Sequence, residues 1–381
     1  MKTKITFFVV VFFIAASMIL VGCGQQKTKW KGSVEEKDGV TVVKNPAQPI
    51  YSKDVFRLEE DLTIENVEGD EEFMFQDITH IVVDEDENIY VSDSKAGQIK
   101  VFDKSGNDLR TIGKKGQGPG EFLYPFEILV LPQGELMVND LYQLRVHFFS
   151  LDGKFLRQFS SSTMMMFRRP RVDSKGHIIV GHVNAGDEIE TVLKKLDSDL
   201  NPVLTLATRP VVSRPPAIFE YFENRRSTNF VWDVATDDNI IWGVLDNYEV
   251  FVNNPEGKLI RKIVREYDGI EINKEEKEKL IKAWLGNNPV PPTVTLKFPK
   301  VYPPFFRFTC DEEGRLFAQT YEKTEDEEED YYDVFDSEGK YIVRISLKYR
   351  PHVWKNKKLY MIEENEEGFQ VVKRYKVHWN F

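Results

Sequence analysis

The stretch ITHIVVDEDENIYVSDSKAGQIKVFDKSGNDLRTIGKKGQGPGEF, residues 78–122, decides the fold. It contains four short runs of β-branched and aromatic residues, and Asp, Asn, Ser and Gly fill the segments between them. Such runs are typical of the strands of an antiparallel meander. Because a single small sheet cannot bury both of its faces, the stretch predicts further copies of itself along the chain.

The rest of the chain contains these copies. Asp93 and Gly106 of the first copy correspond to Asp140 and Gly153 of the second, at one shared offset of 47 residues. Six copies follow one another, and the sixth is one strand short. Apolar residues at 55–58 or 62–64 offer the missing strand, which would hide two sheet edges and close a ring. We therefore predict an all-β fold over residues 51–381: a six-bladed β-propeller of four-stranded antiparallel blades, its last blade closed by an N-terminal strand.

One insertion departs from the strand pattern. Residues 273–285, NKEEKEKLIKAWL, predict a helix that Asn273 caps and that Glu276 completes as a capping box. Its apolar face is predicted to pack on the rim of the propeller, with a partner groove as the alternative. That face consists of Leu280, Ile281, Trp284 and Leu285.

The N-terminus has the layout of a secretory signal. Lys2 and Lys4 precede an apolar run that ends at Cys23. A single membrane-spanning anchor is the alternative, since the run is near spanning length. The cysteine favours a lipoprotein signal peptide over residues 1–22, with Cys23 as the lipidated residue. Residues 23–50 are polar and predict a flexible tether.

Two resemblances can be named from these residues. Segments 88–93, 98–103 and 113–122 resemble an NHL-type repeat, and the whole layout is similar to the bacterial six-bladed propeller lipoproteins. The residues that end at Cys23 resemble a lipobox, which implies a lipid-anchored protein of the bacterial cell envelope. Gly24 after the cysteine implies the outer membrane or cell surface rather than the inner membrane. The family resemblance implies a binding role rather than a reaction.

Composition narrows the function further. The formal charge of −11 argues against general binding to nucleic-acid phosphates. No cofactor is predicted, and the domain is expected to be monomeric, touching the membrane through its lipid only. Related propellers include zinc-dependent lyases and calcium-dependent lactonases. Calcium at the channel mouth therefore stays open as an alternative, although the sequence offers few ligands for it.

The lengths of the loops suggest which face works. Turns between the first and second strands of each blade are short, whereas the long insertions fall on the opposite face, where binding residues usually lie. Residues 207–230 place arginines among aromatic residues, which suits recognition of a carboxylate, a sulfate or a sugar acid. Solvated arginines above buried aromatics are the alternative. The arginines are Arg209, Arg214, Arg225 and Arg226.

The innermost strands line the central channel and begin near the long-loop face. Their alignment places five ionisable residues at the channel mouth, where propellers bind small ligands. These groups either hold a ligand or pair with one another and plug the channel. The five are His80, Glu127, Arg169, Asp233 and Arg307.

Two functional hypotheses follow. The first is a surface-tethered module that binds a carbohydrate, a peptide or a protein through its long-loop face and channel mouth. The second is a metal-dependent enzyme of the lactonase or lyase kind with its site at the channel mouth.

Overall fold

The computed structural model describes residues 29–65, 75–160, 168–185, 189–210, 218–220, 230–292 and 295–381. Three strands precede the first repeat: β1 (Ser33–Lys37), β2 (Val40–Asn45) and β3 (Phe56–Ile64), with a 3-10 turn at Lys53–Val55 before β3.

Six four-stranded antiparallel blades form a ring, which confirms the predicted propeller. The first strands of adjacent blades contact one another around the channel. Blade 1 is β4 (Ile78–Val83), β5 (Ile89–Asp93), β6 (Gln98–Phe102) and β7 (Asp108–Ile112); blade 2 is β8 (Pro125–Leu131), β9 (Glu135–Asp140), β10 (Arg145–Ser150) and β11 (Phe155–Ser160); blade 3 is β12 (Arg168–Val172), β13 (Ile178–Ala185), β14 (Ile189–Leu196) and β15 (Pro202–Pro210).

The second half of the ring carries the insertions. A short parallel pair, β16 (Ile218–Glu220) with β21 (Thr295–Lys297), links two of them. Blade 4 is β17 (Phe230–Val234), β18 (Ile240–Val244), β19 (Glu249–Asn253) and β20 (Leu259–Arg265); helix α1 (Lys274–Leu285) follows; blade 5 is β22 (Arg307–Cys310), β23 (Leu316–Lys323), β24 (Asp330–Phe335) and β25 (Tyr341–Leu347); blade 6 is β26 (Pro351–Lys355), β27 (Lys358–Glu364) and β28 (Gln370–Trp379).

The ring closes as predicted. β3 pairs antiparallel with β28, from Phe56 opposite Trp379 to Ile64 opposite Val372. Apolar side chains pack between neighbouring blades. Val55, directly before the closing strand, and Ile64, its last residue, are both buried. Burying a side chain of this kind contributes about 1.5–3 kcal/mol, so the closing strand adds packing as well as hydrogen bonds.

The repeated Asp residues hold turns and links. Asp84 Oδ1 accepts hydrogen bonds from the backbone N–H groups of Asp86 and Asn88, at 3.0 and 2.8 Å. Asp93 and Asp140, the pair that revealed the 47-residue offset, each accept backbone N–H groups from the link that leads into their own blade. The most regular residues of the repeat therefore act as scaffold, because their carboxylates are used by the backbone.

The tether prediction is wrong for residues 33–45. β2 pairs parallel with β20, the outer strand of blade 4, so the β1–β2 hairpin extends that sheet to six strands. The side chain of Asn45 fixes the hairpin: its Nδ2 donates to Gly339 O and its Oδ1 accepts from Tyr341 N, both at 2.8 Å. The polar surroundings concealed this hairpin, since all of β1 is exposed and only the β-branched residues of β2 mark a strand.

The helix forms where it was predicted. Asn273 Oδ1 accepts the backbone N–H of Glu276 at 3.0 Å, which is an N-cap. The Glu276 carboxylate accepts from Tyr302 Oη at 2.7 Å, which ties α1 to its own insertion. The predicted apolar face is half-buried, and no residue of α1 is fully buried. Within the described ranges, no helix combines the length and apolar character needed to cross a membrane.

Candidate functional site in the central channel

The inner strands bring ionisable side chains to the channel at two levels. His80 lies opposite Ser92, Glu127 opposite Asn139 and Arg307 opposite Gln319, which are equivalent positions of blades 1, 2 and 5. We call these three residues, together with Arg169, the lower layer.

Asp233 does not belong to that layer. Asp233 lies opposite Ile241, and the equivalent position of blade 3 is Arg171, opposite Ile179. This position is two residues farther along the strand, nearer the turn between the first and second strands. Because side chains two residues apart share a face, Arg171 and Asp233 form an upper layer in the same channel. The sequence alignment therefore placed Asp233 one layer too low.

Arg169 connects blades 2, 3 and 5 within the lower layer. Its backbone N–H donates to both carboxylate oxygens of Glu127, each at 2.8 Å. Its Nη1 donates to Phe306 O at 3.3 Å, so the side chain reaches from blade 3 to the start of blade 5. Arg169 has φ of 57° at a β-bulge in β12. This left-handed conformation costs free energy in a residue other than glycine, and such strain is common at functional sites.

The upper layer is an ion pair that also holds a backbone group. Arg171 Nε donates to Asp233 Oδ1 at 2.6 Å, and Asp233 Oδ2 accepts the backbone N–H of Cys310 at 2.8 Å. Asp233 thus connects blades 3, 4 and 5. The sequence alignment did not identify Arg171, because it compared the position two residues earlier in each inner strand, which is Arg169 in blade 3.

Two histidines lie beside these layers. The rings of His80 and His352 meet edge to face, with 6.4 Å between their centroids. Burial, followed by the positive charge of Arg350, holds the pKa of each imidazole well below its usual range. Both rings are therefore neutral at pH 7. His352 escaped the sequence alignment because it lies at an irregularity in the pairing of β26, in the weakest repeat.

Arg307 and Arg350 add their positive charges to those of Arg169 and Arg171 in the channel. Burial, followed by the nearby charges of Arg169 and Arg350, holds the pKa of Arg307 well below its usual range. Burial, followed by Arg171, lowers the pKa of Arg350 from 12.5 to about 10. The four arginines face two carboxylates, those of Glu127 and Asp233. With both histidines neutral, the formal charge of this group is about +2 at pH 7 by the usual ionisation of these side chains.

A cavity of about 780 Å³ ends at this group of residues. Its inner end is lined by His80, Arg171, Asp233 and His352. Its rim consists of turns between first and second strands, including residues 84–86 together with Pro132 and Gly134. The cavity therefore opens on the short-turn face, whereas we predicted a site on the long-loop face. Short turns leave this entrance uncovered.

The long-loop arginines are described only in part. Arg209 Nη2 forms an ion pair with Asp246 Oδ2 at 2.5 Å. Arg214, Arg225 and Arg226 lie outside the described residues, as does Cys23.

The metal alternative has no ligand set among the residues that the structure describes. Within those ranges, no group of three or more His, Cys, Asp or Glu side chains is placed to hold a metal ion. Asp233 and Glu127, the two carboxylates of the channel residues named above, lie in different layers and already accept hydrogen bonds.

Comparison with known proteins supports the architecture. A family model for DUF5128, described as a 6-bladed beta-propeller, matches residues 35–167. The match includes most of the N-terminal hairpin, the closing strand β3, and blades 1 and 2. The Drosophila melanogaster protein named brain tumor is 28% identical over 113 residues, which is 29% of this chain and 11% of that protein.

One of two solved structures compared with this chain shares its fold. A Bacteroides fragilis protein classed as exported has a TM-score of 0.57 at 12% identity, over 89% of this chain and all of that one. Virginiamycin B lyase from Staphylococcus aureus has a TM-score of 0.43 at 8% identity, over 85% of this chain and all of that one. At these identities the first likeness shows the fold alone, and the second is too distant to carry an argument. The chain is a six-bladed β-propeller, and its residues 35–167 match a family described by that same architecture.

Proposed function

We propose that this propeller is a binding module that takes a small polar ligand, or the end of a carbohydrate or peptide, into its central cavity. The domain works at the surface of a bacterial cell envelope, attached through a lipid on Cys23. The resemblance of blades 1 and 2 to an NHL-type repeat implies a binding role rather than a reaction. A protein partner would bind at the rim of the cavity and insert one exposed end of its own chain.

One observation carries the proposal: a cavity of about 780 Å³ ends at buried charged groups. This volume lies in the range of small-molecule sites, which are mostly apolar with a few convergent polar groups. The lining fits that description, since Val130 and Leu129 form part of the wall while Arg171 and Asp233 form the inner end.

The test blocks the cavity. Val130→Trp places a large ring on the wall, whereas Val203→Trp adds the same ring at an exposed position on blade 3 and serves as the control. We expect ligands from a small-molecule screen to raise the melting temperature of the wild type and of Val203→Trp, but not of Val130→Trp. Ligands that stabilise all three proteins equally would show that the cavity is not the binding site.

A further inference from the structure

Unsatisfied polar groups gather where blade 5 meets the channel. Arg307, Gln319 and Tyr332 lie in one row across three strands of the blade, so their side chains share a face. Arg307 Nε and Nη1, Gln319 Oε1 and Tyr332 Oη are buried and have no hydrogen-bond partner in the part of the chain that the structure describes. Arg350 Nε is also buried and has no hydrogen-bond partner among the described residues. Native proteins leave few such atoms, so a concentration of them in one place requires an explanation.

The positive charges at the same place also require an explanation. The positive neighbours of Arg307 include Arg169, Arg171 and Arg350, and burial raises the cost of each charge. The carboxylates of this channel are already committed, Glu127 to the Arg169 backbone and Asp233 to Arg171 and Cys310. Neither Arg307 nor Arg350 forms an ion pair among the described residues, although Glu127 and Asp233 attract Arg350 from a distance. Buried cations are stable when an anion with good hydrogen-bond geometry accompanies them.

The chemistry of the unsatisfied atoms indicates the kind of ligand. Guanidinium N–H groups and a phenol hydroxyl are donors that match the oxygens of a carboxylate, a phosphate or a sulfate. Gln319 Nε2 donates to Asp330 at 2.8 Å, which leaves its Oε1 as an acceptor that faces the same row. An acceptor beside cationic donors fits a ligand hydroxyl close to the anionic group. Acidic sugars combine these two features.

We propose that Arg307, Arg350 and Tyr332 bind the anionic group of an acidic sugar, and that Gln319 accepts one of its hydroxyl groups. This assignment rests on the proposed binding function and names its ligand class. The sugar extends from the arginines toward the cavity, where Arg171 and the two neutral histidines line its path.

Isothermal titration with three probes tests the assignment. Galacturonate supplies a carboxylate, glucose 6-phosphate a phosphate, and glucose neither. We expect at least one of the two anionic sugars to bind at least ~10-fold more tightly than glucose, since a charge-assisted pair of hydrogen bonds contributes that much or more. The identity of the tighter anion distinguishes a sugar acid from a sugar phosphate.

Arg307→Met and Arg350→Met provide the variants, and Arg57→Met is the control. Arg57 is an exposed arginine on the closing strand, and its loss removes the same formal charge. We expect both channel variants to lose the preference for the anionic sugar and Arg57→Met to keep it. We also expect Arg307→Met to melt at a higher temperature than the wild type without ligand, because a repelled buried charge has gone. An arginine with a purely structural role would lower the melting temperature when replaced.

The outcomes separate the two proposals. Equal binding of glucose and both anionic sugars, blocked by Val130→Trp, would overturn the acidic-sugar assignment and leave the binding module standing. Anion binding that is unchanged in both channel variants would overturn the assignment too. A ligand screen that stabilises the wild type and Val130→Trp alike would overturn the binding module itself.

Discussion

At the scale of single residues, Asp233 connects three blades with one carboxylate. One oxygen accepts from Arg171 and the other from the backbone of Cys310. The side chain is buried, so water cannot replace either partner at low cost.

Asp233→Asn should therefore destabilise the fold. The amide keeps one acceptor oxygen but loses the charge that Arg171 requires, and an unsatisfied buried partner costs about 1–3 kcal/mol. Urea denaturation would measure the loss, with the exposed Asp54→Asn as a control. Equal stability of the two variants would contradict the role assigned to the pair.

His147 gives a prediction on pH. Its ring is fully buried among Phe122, Phe149 and Phe155, and neither ring nitrogen has a partner among the described residues. Burial lowers its pKa from 6.5 to about 4. Between pH 6.5 and 4 the unfolded chain therefore binds a proton at His147 that the folded chain does not bind. The stability that the neutral, buried ring contributes is intact above pH 6.5 and is lost as the pH falls toward 4.

His147→Phe should flatten that dependence. Between pH 6.5 and 4 the free energy of unfolding of the wild type should fall more steeply, by up to about 1.4 kcal/mol per pH unit for one proton. Chemical denaturation at several pH values measures both slopes. His378→Phe, at a partly exposed ring, is the control; the same slope in wild type and His147→Phe would refute the account.

At this scale the sequence predicted some site residues and missed others for a definable reason. His80, Glu127 and Arg307 each lie four residues before the residue that opens the turn to the second strand, so counting back from the turn places them together. Arg171 lies two residues nearer its turn than that position, and His352 lies at an irregularity in the pairing of β26. The alignment compared one position per strand, so the second layer escaped it, and nothing in the sequence of β26 marks its irregularity.

At the scale of elements, the N-terminal hairpin covers an outer edge. β20 would otherwise present unpaired backbone groups along the rim of blade 4, and β2 pairs with it in parallel. Asn45 fastens the hairpin to blade 5. The pairing partner is more than 200 residues away, so local sequence could mark a strand but not its destination.

A chain that begins at residue 46 should keep the ring but expose this edge. We expect hydrogen exchange of the β20 amides that face β2 to become faster, while amides of β24 stay protected as an internal control. Unchanged exchange in β20 would show that the hairpin does not protect the edge in solution.

At the scale of the whole molecule, ring closure couples the two ends of the chain. β3 supplies the outer strand of the last blade, and Val55 packs against blade 5 residues such as Val334 and Ile342. The sequence predicted this closure because the sixth repeat is one strand short. It could not predict which face would hold the cavity, since that depends on how side chains fill the channel.

A chain that begins at residue 66 should fail to form a stable ring. It loses the closing strand as well as the hairpin and leaves the long β28 edge open. We expect loss of the cooperative thermal transition and aggregation by light scattering, whereas the chain that begins at residue 46 should still melt cooperatively. A cooperative transition for the shorter chain would contradict the coupling.

The central claim is that the channel holds an anion between Arg307 and Arg350. Crystals of residues 29–381 grown with selenate, a sulfate analogue with anomalous scattering, test it most directly. The account predicts an anomalous peak within hydrogen-bond distance of both guanidinium groups and of Tyr332 Oη, and no such peak in Arg307→Met. Selenate bound only on the outer surface, with the two arginines satisfied by other groups, would contradict it.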